Sequence, residues 1–307
     1  MNLVSVILPV KNNAVVLPDL LTDLKSQHYK NFEVIFVDNN SVDQTYQQLV
    51  AFKRLSGIKT TIISQRIRQS VATSYNQALT HAQGRYVMFL TAKMRLHPMW
   101  LSQVSQTAVV NQTDIVGYNG QNQHFNSATD LITSYLLGQT PMNIEGMLIK
   151  RQLTRSISFD PKLSLHAGTL FLYNIYQRAT SATFLGGKVQ PELKHSKNTF
   201  KAEHLQVVTV LDSIDQCIQQ NYPTLSNYAW RHKHQTLTDL YHQIKQLPMT
   251  NRRIFKTELV KIKAELRTIE FKQFEFSNIK RFKSWLNRRF NRHMTIYPES
   301  KNKNISF

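Results

Sequence analysis

The first hundred residues alternate two hydrophobic patterns. VSVILPV (4–10) and FEVIFVD (32–38) are near-continuous apolar runs, as expected of strands buried on both faces. KTTIIS (59–64) and RYVMFL (85–90) predict two more strands. Between them, residues 15–27 carry Val16, Leu20, Leu21 and Leu24 at helical spacing. Residues 41–55 predict a second helix with Ser41 as its N-cap, and 70–82 a third, ended before Gly84. Strands alternating with helices in so short a stretch predict a parallel α/β sheet with right-handed crossovers. Ligands of such sheets bind beyond the carboxyl ends of the strands. Those ends are Pro9–Lys11, Asp38–Ser41 and Thr91–Arg95.

The pattern then becomes mixed. TDIVGYNG (113–120) predicts a strand, GMLIKRQLT (146–154) a strand entering a short helix, and HAGTLFLYNIYQRA (166–179) a helix. TSATFLGG (180–187) predicts a closing strand and turn. Gly187 is the last glycine, and long amphipathic helical patterns follow, separated by Pro223 and Pro248. The expectation is an α/β domain over 1–200 and a helical, basic extension over 201–307.

Charge changes the picture. Lys and Arg number 38 against 19 Asp and Glu, a formal net charge of +19. Residues 251–307 hold 15 basic and 5 acidic residues, so +10 of that excess lies there. Nucleic acid, anionic lipid and phosphate-bearing substrates all attract such a chain. No zinc-ligand spacing, helix-turn-helix pattern or aromatic RNA-binding motif is present, so nucleic acid is not an expected partner. NIKRFKSWLNRRFNRHM (278–294) places Ile279, Phe282, Trp285, Leu286 and Phe290 at helical spacing among basic residues. Lys280, Arg281, Phe282, Trp285, Arg288 and Arg289 are candidate contacts to an anionic membrane surface, each basic residue adding about 1 kcal/mol. The same stripe also suits a helix packed on the rest of the chain or on another partner. Residues 255–276 form a longer amphipathic pattern through Leu259, Ile262, Leu266, Ile269 and Phe276, serving a core or a subunit contact.

The single cysteine, Cys217, permits no intrachain disulfide and suits a reducing cytosol. MNLVSVILPVKNN reads as a buried strand, not a signal peptide. No run approaches the roughly 18 apolar residues of a membrane span. The expected location is the cytoplasm, peripheral on the inner face of the cell membrane.

Three blocks in register carry a resemblance: VSVILPVKNN (4–13), SQHYKNFEVIFVDNNSVDQT (26–45), and GRYVMFL with LHPMWL (84–90, 96–101). They are similar to the nucleotide-binding half of family-2 glycosyltransferases of the GT-A type. The resemblance implies a Rossmann-like, mostly parallel sheet flanked by helices, and a UDP or UDP-sugar ligand near Pro9, Val10, Asp38 and Asn39. In the family, the pair matching Asp38 and Asn39 lies beside the uracil and ribose. Asp38 can accept the imide N–H or a ribose hydroxyl. Asn39, where the family usually has Asp, accepts only through its carbonyl. Asp38 also reads as a solvated strand-end cap.

The resemblance breaks at three places. After RYVMFL the family has an Asp-x-Asp motif whose carboxylates hold Mn²⁺ or Mg²⁺. Here the residues are Thr91, Ala92, Lys93 and Met94. A neutral hydroxyl, a cation and a thioether do not suit a hard divalent ion, so no metal cofactor is expected. FDPKLSLHAGTLFL (159–172) resembles the segment whose Glu-Asp pair supplies the catalytic base, yet Ala167 and Gly168 occupy the matching positions. Neighbouring His166 reads as a possible base or as a loop histidine. Ser70 and Tyr75 stand where the family often has Gly and Arg. The expectation is a catalytically degenerate, accessory or scaffolding protein of cell-envelope glycan or teichoic-acid-type assembly. It would partner an active glycosyltransferase or form a homo-oligomer. The alternative is a metal-independent transferase using a UDP-sugar, with Lys93 pairing the diphosphate. Lys93 reads equally as a solvent-facing lysine.

Overall fold

In a computed structural model, residues 4–187, 191–193 and 200–273 are described. The chain divides into two compact units, Met1–His232 and Lys233–Phe307.

The first unit is built on an eight-stranded sheet of order β3-β2-β1-β4-β8-β6-β9-β7. Its strands are β1 (Val4–Val10), β2 (Phe32–Asp38), β3 (Lys59–Ser64), β4 (Tyr86–Phe89), β6 (Ile115–Gly120), β7 (Gln123–Phe125), β8 (Leu148–Lys150) and β9 (Ala182–Gly186). β8 runs antiparallel to both β4 and β6, and β7 antiparallel to β9. The other pairings are parallel. This is the mostly parallel sheet the pattern predicts, and it is of the GT-A-like kind the resemblance implies. A separate ribbon pairs β5 (Met94–Leu96) with β10 (Pro191–Leu193).

Alternate residues of each strand feed opposite faces. Val4, Val6, Leu8 and Val10 of β1 join Phe32, Val34 and Phe36 of β2 in one core. That core is covered by α1 (Leu17–Ser26), α2 (Thr45–Leu55) and α4 (Trp100–Val110). Ile7, Ile35, Val37, Val87 and Phe89 face the other core, under α3 (Val71–His81), α5 (Ala128–Leu136), α6 (Ala167–Tyr176) and α7 (Gln206–Asn221). Covering both faces explains why β1, β2 and β4 read as unbroken apolar runs.

Ser41 does not cap the second helix. That helix starts at Thr45 behind Gln44, and the Ser41 hydroxyl instead accepts the Asn12 N–H at 3.0 Å. The segment after β2 is thus spent on lacing two loops together. Ser70 does cap α3, accepting the Thr73 N–H at 3.1 Å.

Among the described residues, helices dominate 202–273, as the loss of glycine implies. α8 (Ser226–Lys245) follows Pro223, and α9 (Met249–Ile254) follows Pro248 as its N-cap. Within the second unit, residues 256–273 are helical, and Ile262 and Ile269 are buried. Lys233 pairs with Glu265 at 2.5 Å and His234 meets Glu270 at 3.2 Å. The membrane-contact candidates Lys280, Arg281, Phe282, Trp285, Arg288 and Arg289 lie outside the described residues, as does Phe276. Among the described residues, no helix is long and apolar enough to cross a membrane.

Candidate functional site at the strand ends

β1 and β2 end in register, with Pro9 beside Val37 and Val10 beside Asp38. On the other side of β1, Ile7 aligns with Phe89 of β4, and the Leu90 N–H donates to the Ile7 carbonyl at 2.9 Å. The loops leaving β1 and β2 are tied to each other. Besides the Ser41 contact, the Val42 N–H donates to Asn12 Oδ1 at 2.9 Å and the Asn13 N–H to Thr45 Oγ1 at 2.8 Å. The Ala14 N–H donates to Asp43 Oδ2 at 3.0 Å. Asn12 and Asn40 sit at φ +47° and +57°, a left-handed conformation that asparagine tolerates better than most residues. This lacing makes a fixed rim around the strand ends.

Asp38 and Asn39 are both 5% exposed but differ in what they touch. Asn39 brackets one residue of the loop before α3: its Nδ2 donates to the Gln69 carbonyl and its Oδ1 accepts the Gln69 N–H, each at 2.8 Å. Only an amide does both, so asparagine here closes a loop, which an aspartate could not. Asp38 is different. Its Oδ2 receives one long contact from the Ser41 N–H at 3.5 Å, and its Oδ1 is buried with no partner among the described residues. Such an orphaned acceptor fits a ligand donor. Restoring the family's acid with Asn39→Asp should therefore cost about 1–3 kcal/mol, because the Gln69 carbonyl loses its donor beside a new buried charge. Urea unfolding of the variant against the parent checks this.

Residues 91–94 follow β4 at the same end. Thr91 Oγ1 is buried with no partner among the described residues, Lys93 is exposed, and Met94 is buried at 4% exposure. Arg95 turns away to Asp23, which it meets in a two-pronged contact at 2.7 and 2.9 Å. One neutral hydroxyl, an ammonium and a thioether do not fit a divalent cation. Among the described residues, no three His, Cys, Asp or Glu side chains gather as a metal-binding group.

Ala167 and Gly168 open α6, with His166 as the N-cap residue. His166 Nε2 is buried with no partner among the described residues; burial first, and the nearby His204 charge second, push its pKa down, with the His204 backbone opposing. Tyr75 is a core residue, stacked on Phe159 at 4.8 Å and edge-on to Phe89 at 5.2 Å. It offers no cation to the site.

One acidic residue at this end escapes sequence reasoning. Glu145 forms an isolated parallel bridge to Phe89, the last residue of β4. It is partly buried, and burial pushes its carboxyl above the usual carboxylate range, with its own N–H opposing. Its charge adds to burial in raising the Tyr75 phenol. The sole trace in the sequence is that no other acid lies between Asp130 and Asp160. The structure thus gathers Pro9, Val10, Asp38 and Asn39 at adjoining strand ends, with the 91–94 loop across β1 and Glu145 beyond it.

Comparison with known proteins bears on the family and the fold. Residues 5–170 match the family model for glycosyl transferase family 2. The amylovoran biosynthesis glycosyltransferase AmsB of Erwinia amylovora is 35% identical over 100 residues, 32% of this chain and 33% of that protein. The match therefore spans only about a third of the relative's length. The crystal structure of S. aureus TarS 1–349 in complex with UDP-GlcNAc superposes with a TM-score of 0.58 at 16% identity, covering 90% of this chain and 92% of that one. The mannosyltransferase PcManGT from Pyrobaculum calidifontis, in complex with GDP-Man and Mn²⁺, gives 0.57 at 16% identity over 88% and 86%. These structures share the fold. With more than half of its length matching one family model, on a sheet and strand-end site of the expected order, the chain belongs to glycosyl transferase family 2.

Proposed function

We propose that this chain binds a UDP-type nucleotide-sugar at the ends of β1, β2 and β4 without a divalent cation, and transfers the sugar in cell-envelope glycan or exopolysaccharide assembly. The observation that carries the reading is the buried, partnerless Asp38 Oδ1 beside the closed β1–β2 rim. A carboxylate oxygen so placed is suited to an imide or ribose donor. The TarS complex with UDP-GlcNAc and the role in AmsB's name support the ligand class and the process. The make-up of residues 91–94 supports metal independence. The proposed setting is the inner face of the membrane, with the basic segment 278–294 on anionic lipid.

A second reading is favoured by Ala167 and Gly168. With no acid at the family's base position, the chain would serve as a silent accessory subunit that scaffolds an active glycosyltransferase. Titration calorimetry with UDP, UDP-GlcNAc, UDP-glucose and UDP-galactose, in EDTA and in Mn²⁺, tests the nucleotide reading. Binding is expected in EDTA and is not strengthened by Mn²⁺. Binding that requires Mn²⁺ would refute metal independence, and no binding in either buffer would leave the scaffold reading.

A further inference from the structure

Two of the family's acidic motifs are missing from this chain, and one short segment passes between their positions. A Cβ at Gly146 would lie 3.3 Å from Met94 Cε, at the end of the eroded metal motif. A Cβ at Gly168, in the eroded base motif, would lie 3.5 Å from Ile144 Cγ1. Residues 144 and 146 thus touch the two positions, and the residue between them is Glu145. We propose that Glu145 is the general base of this chain, supplied from the segment before β8 in place of the carboxylate absent at 167–168. The inference rests on the nucleotide-sugar reading above.

The backbone around Glu145 is held firmly. The Gly146 N–H donates to the Phe89 carbonyl at 2.9 Å, and Trp100 Nε1 donates to the Gly146 carbonyl at 3.1 Å. Gly146 sits at φ +79°, and a Cβ there would strike Pro191 Cγ at 2.7 Å, so the tight passage needs glycine. A base benefits from such a fixed mount.

Placement along the sheet also suits the role. Asp38 is on β2, β1 and β4 come next, and Glu145 bridges to β4 on its far side. Phe89 aligns through Ile7 with Ile35, three residues before Asp38. At roughly 4.8 Å per strand across the sheet and about 3.3 Å per residue along it, the backbones of Asp38 and Glu145 stand roughly 17 Å apart. A nucleoside diphosphate can cover that span, with its base at Asp38 and its sugar towards Glu145. Among the described residues no cation pairs with Glu145. Its burial raises its affinity for a proton, which favours base catalysis near neutral pH.

The step balances without a metal or redox partner. The acceptor O–H proton passes to the Glu145 carboxylate while the acceptor oxygen bonds to the sugar C1. The C1–O bond to the diphosphate breaks, and its electron pair leaves with UDP. Water can replace the acceptor, so UDP release by donor hydrolysis reports the same base.

The test uses the full chain in EDTA, with whichever of UDP-GlcNAc, UDP-glucose and UDP-galactose binds by calorimetry. The parent is expected to release UDP. Glu145→Gln should slow release by about 10²–10⁴-fold with UDP affinity unchanged, and Glu145→Asp should keep part of the rate. If the glutamine variant does not fold, Glu145→Ala is assayed with added formate, where a restored rate supports the base and an unrestored one refutes it. Undiminished release by Glu145→Gln overturns the proposal. So does a parent that binds UDP but binds no donor, or binds one and releases nothing. Failure to bind UDP at all overturns the nucleotide reading, and this inference with it.

Discussion

Replacing Asp114 by alanine should lower the stability of the protein by about 3 kcal/mol, near the lower bound for breaking a buried ion pair. Asp114 is 4% exposed and lies just before β6, at the end of the sheet opposite the site. Its Oδ1 accepts Lys150 Nζ at 2.8 Å, and its Oδ2 accepts the Thr180 N–H and hydroxyl at 2.9 and 2.7 Å. One side chain therefore joins the entries of β6 and β9 to the exit of the antiparallel β8. The alanine variant leaves those donors unmatched, while Lys150, at 32% exposure, recovers part of its hydration. Burial alone would raise the Asp114 carboxyl, but the Lys150 and Thr180 bonds outweigh it and hold the pKa below its usual value. A depressed folded-state pKa means the stabilisation is complete above the unfolded value of about 3.9 and is lost as pH falls through the folded one. Urea unfolding should show the full gap between parent and variant at pH 7 and a narrowed gap at pH 3. An equal gap at both would mean the charge is not what stabilises.

Asp38→Ala should act on binding instead. Losing a hydrogen bond to a charged acceptor costs roughly 1.5–3 kcal/mol, so UDP affinity should fall by about 10- to 150-fold. Stability should change by less than about 1 kcal/mol, because Oδ1 has no partner to lose among the described residues and its burial is itself unfavourable. Calorimetry and thermal unfolding on the same preparation check the pair. An unfolding loss as large as that of Asp114→Ala would make Asp38 a structural residue. Unchanged UDP affinity would remove it from the site.

The two variants mark opposite ends of one sheet. Hydrogen-bonded acids fasten the amino end: Asp114 there, and Glu33, which takes the Ser5 hydroxyl at 2.7 Å, the Gln83 N–H at 2.8 Å and Lys59 at 2.8 Å. The carboxyl end holds Asp38, whose Oδ1 has no partner among the described residues, and Glu145, which pairs with no cation among them. Satisfied polar groups stabilise a fold, and unsatisfied ones are retained where a ligand completes them.

The sequence by itself determined β1 to β4, the helices between them, α6, β9 and the helices within 202–273. Each carries its own period: long apolar runs for doubly covered strands, three-to-four spacing for helices, and Gly84, Pro223 and Pro248 as breaks. It also placed Pro9, Val10, Asp38 and Asn39 at strand ends, since the parallel pattern fixes where strands end. TDIVGYNG and GMLIKRQLT likewise announced β6 and β8, whereas β5 and β7, only three residues long, are too short to show a period. Tertiary structure alone decided the rest. That Asn39 grips Gln69, 30 residues away, and that Ser41 joins Asn12, not the helix behind it, depends on pairings between loops that no local period encodes. The antiparallel entry of β8 between β4 and β6 is likewise non-local. It is this insertion that carries Glu145 to the end of β4, between the two positions where the family's acids are missing. A lone glutamate in a loop has no periodicity, and its meaning arises only when the sheet closes around it.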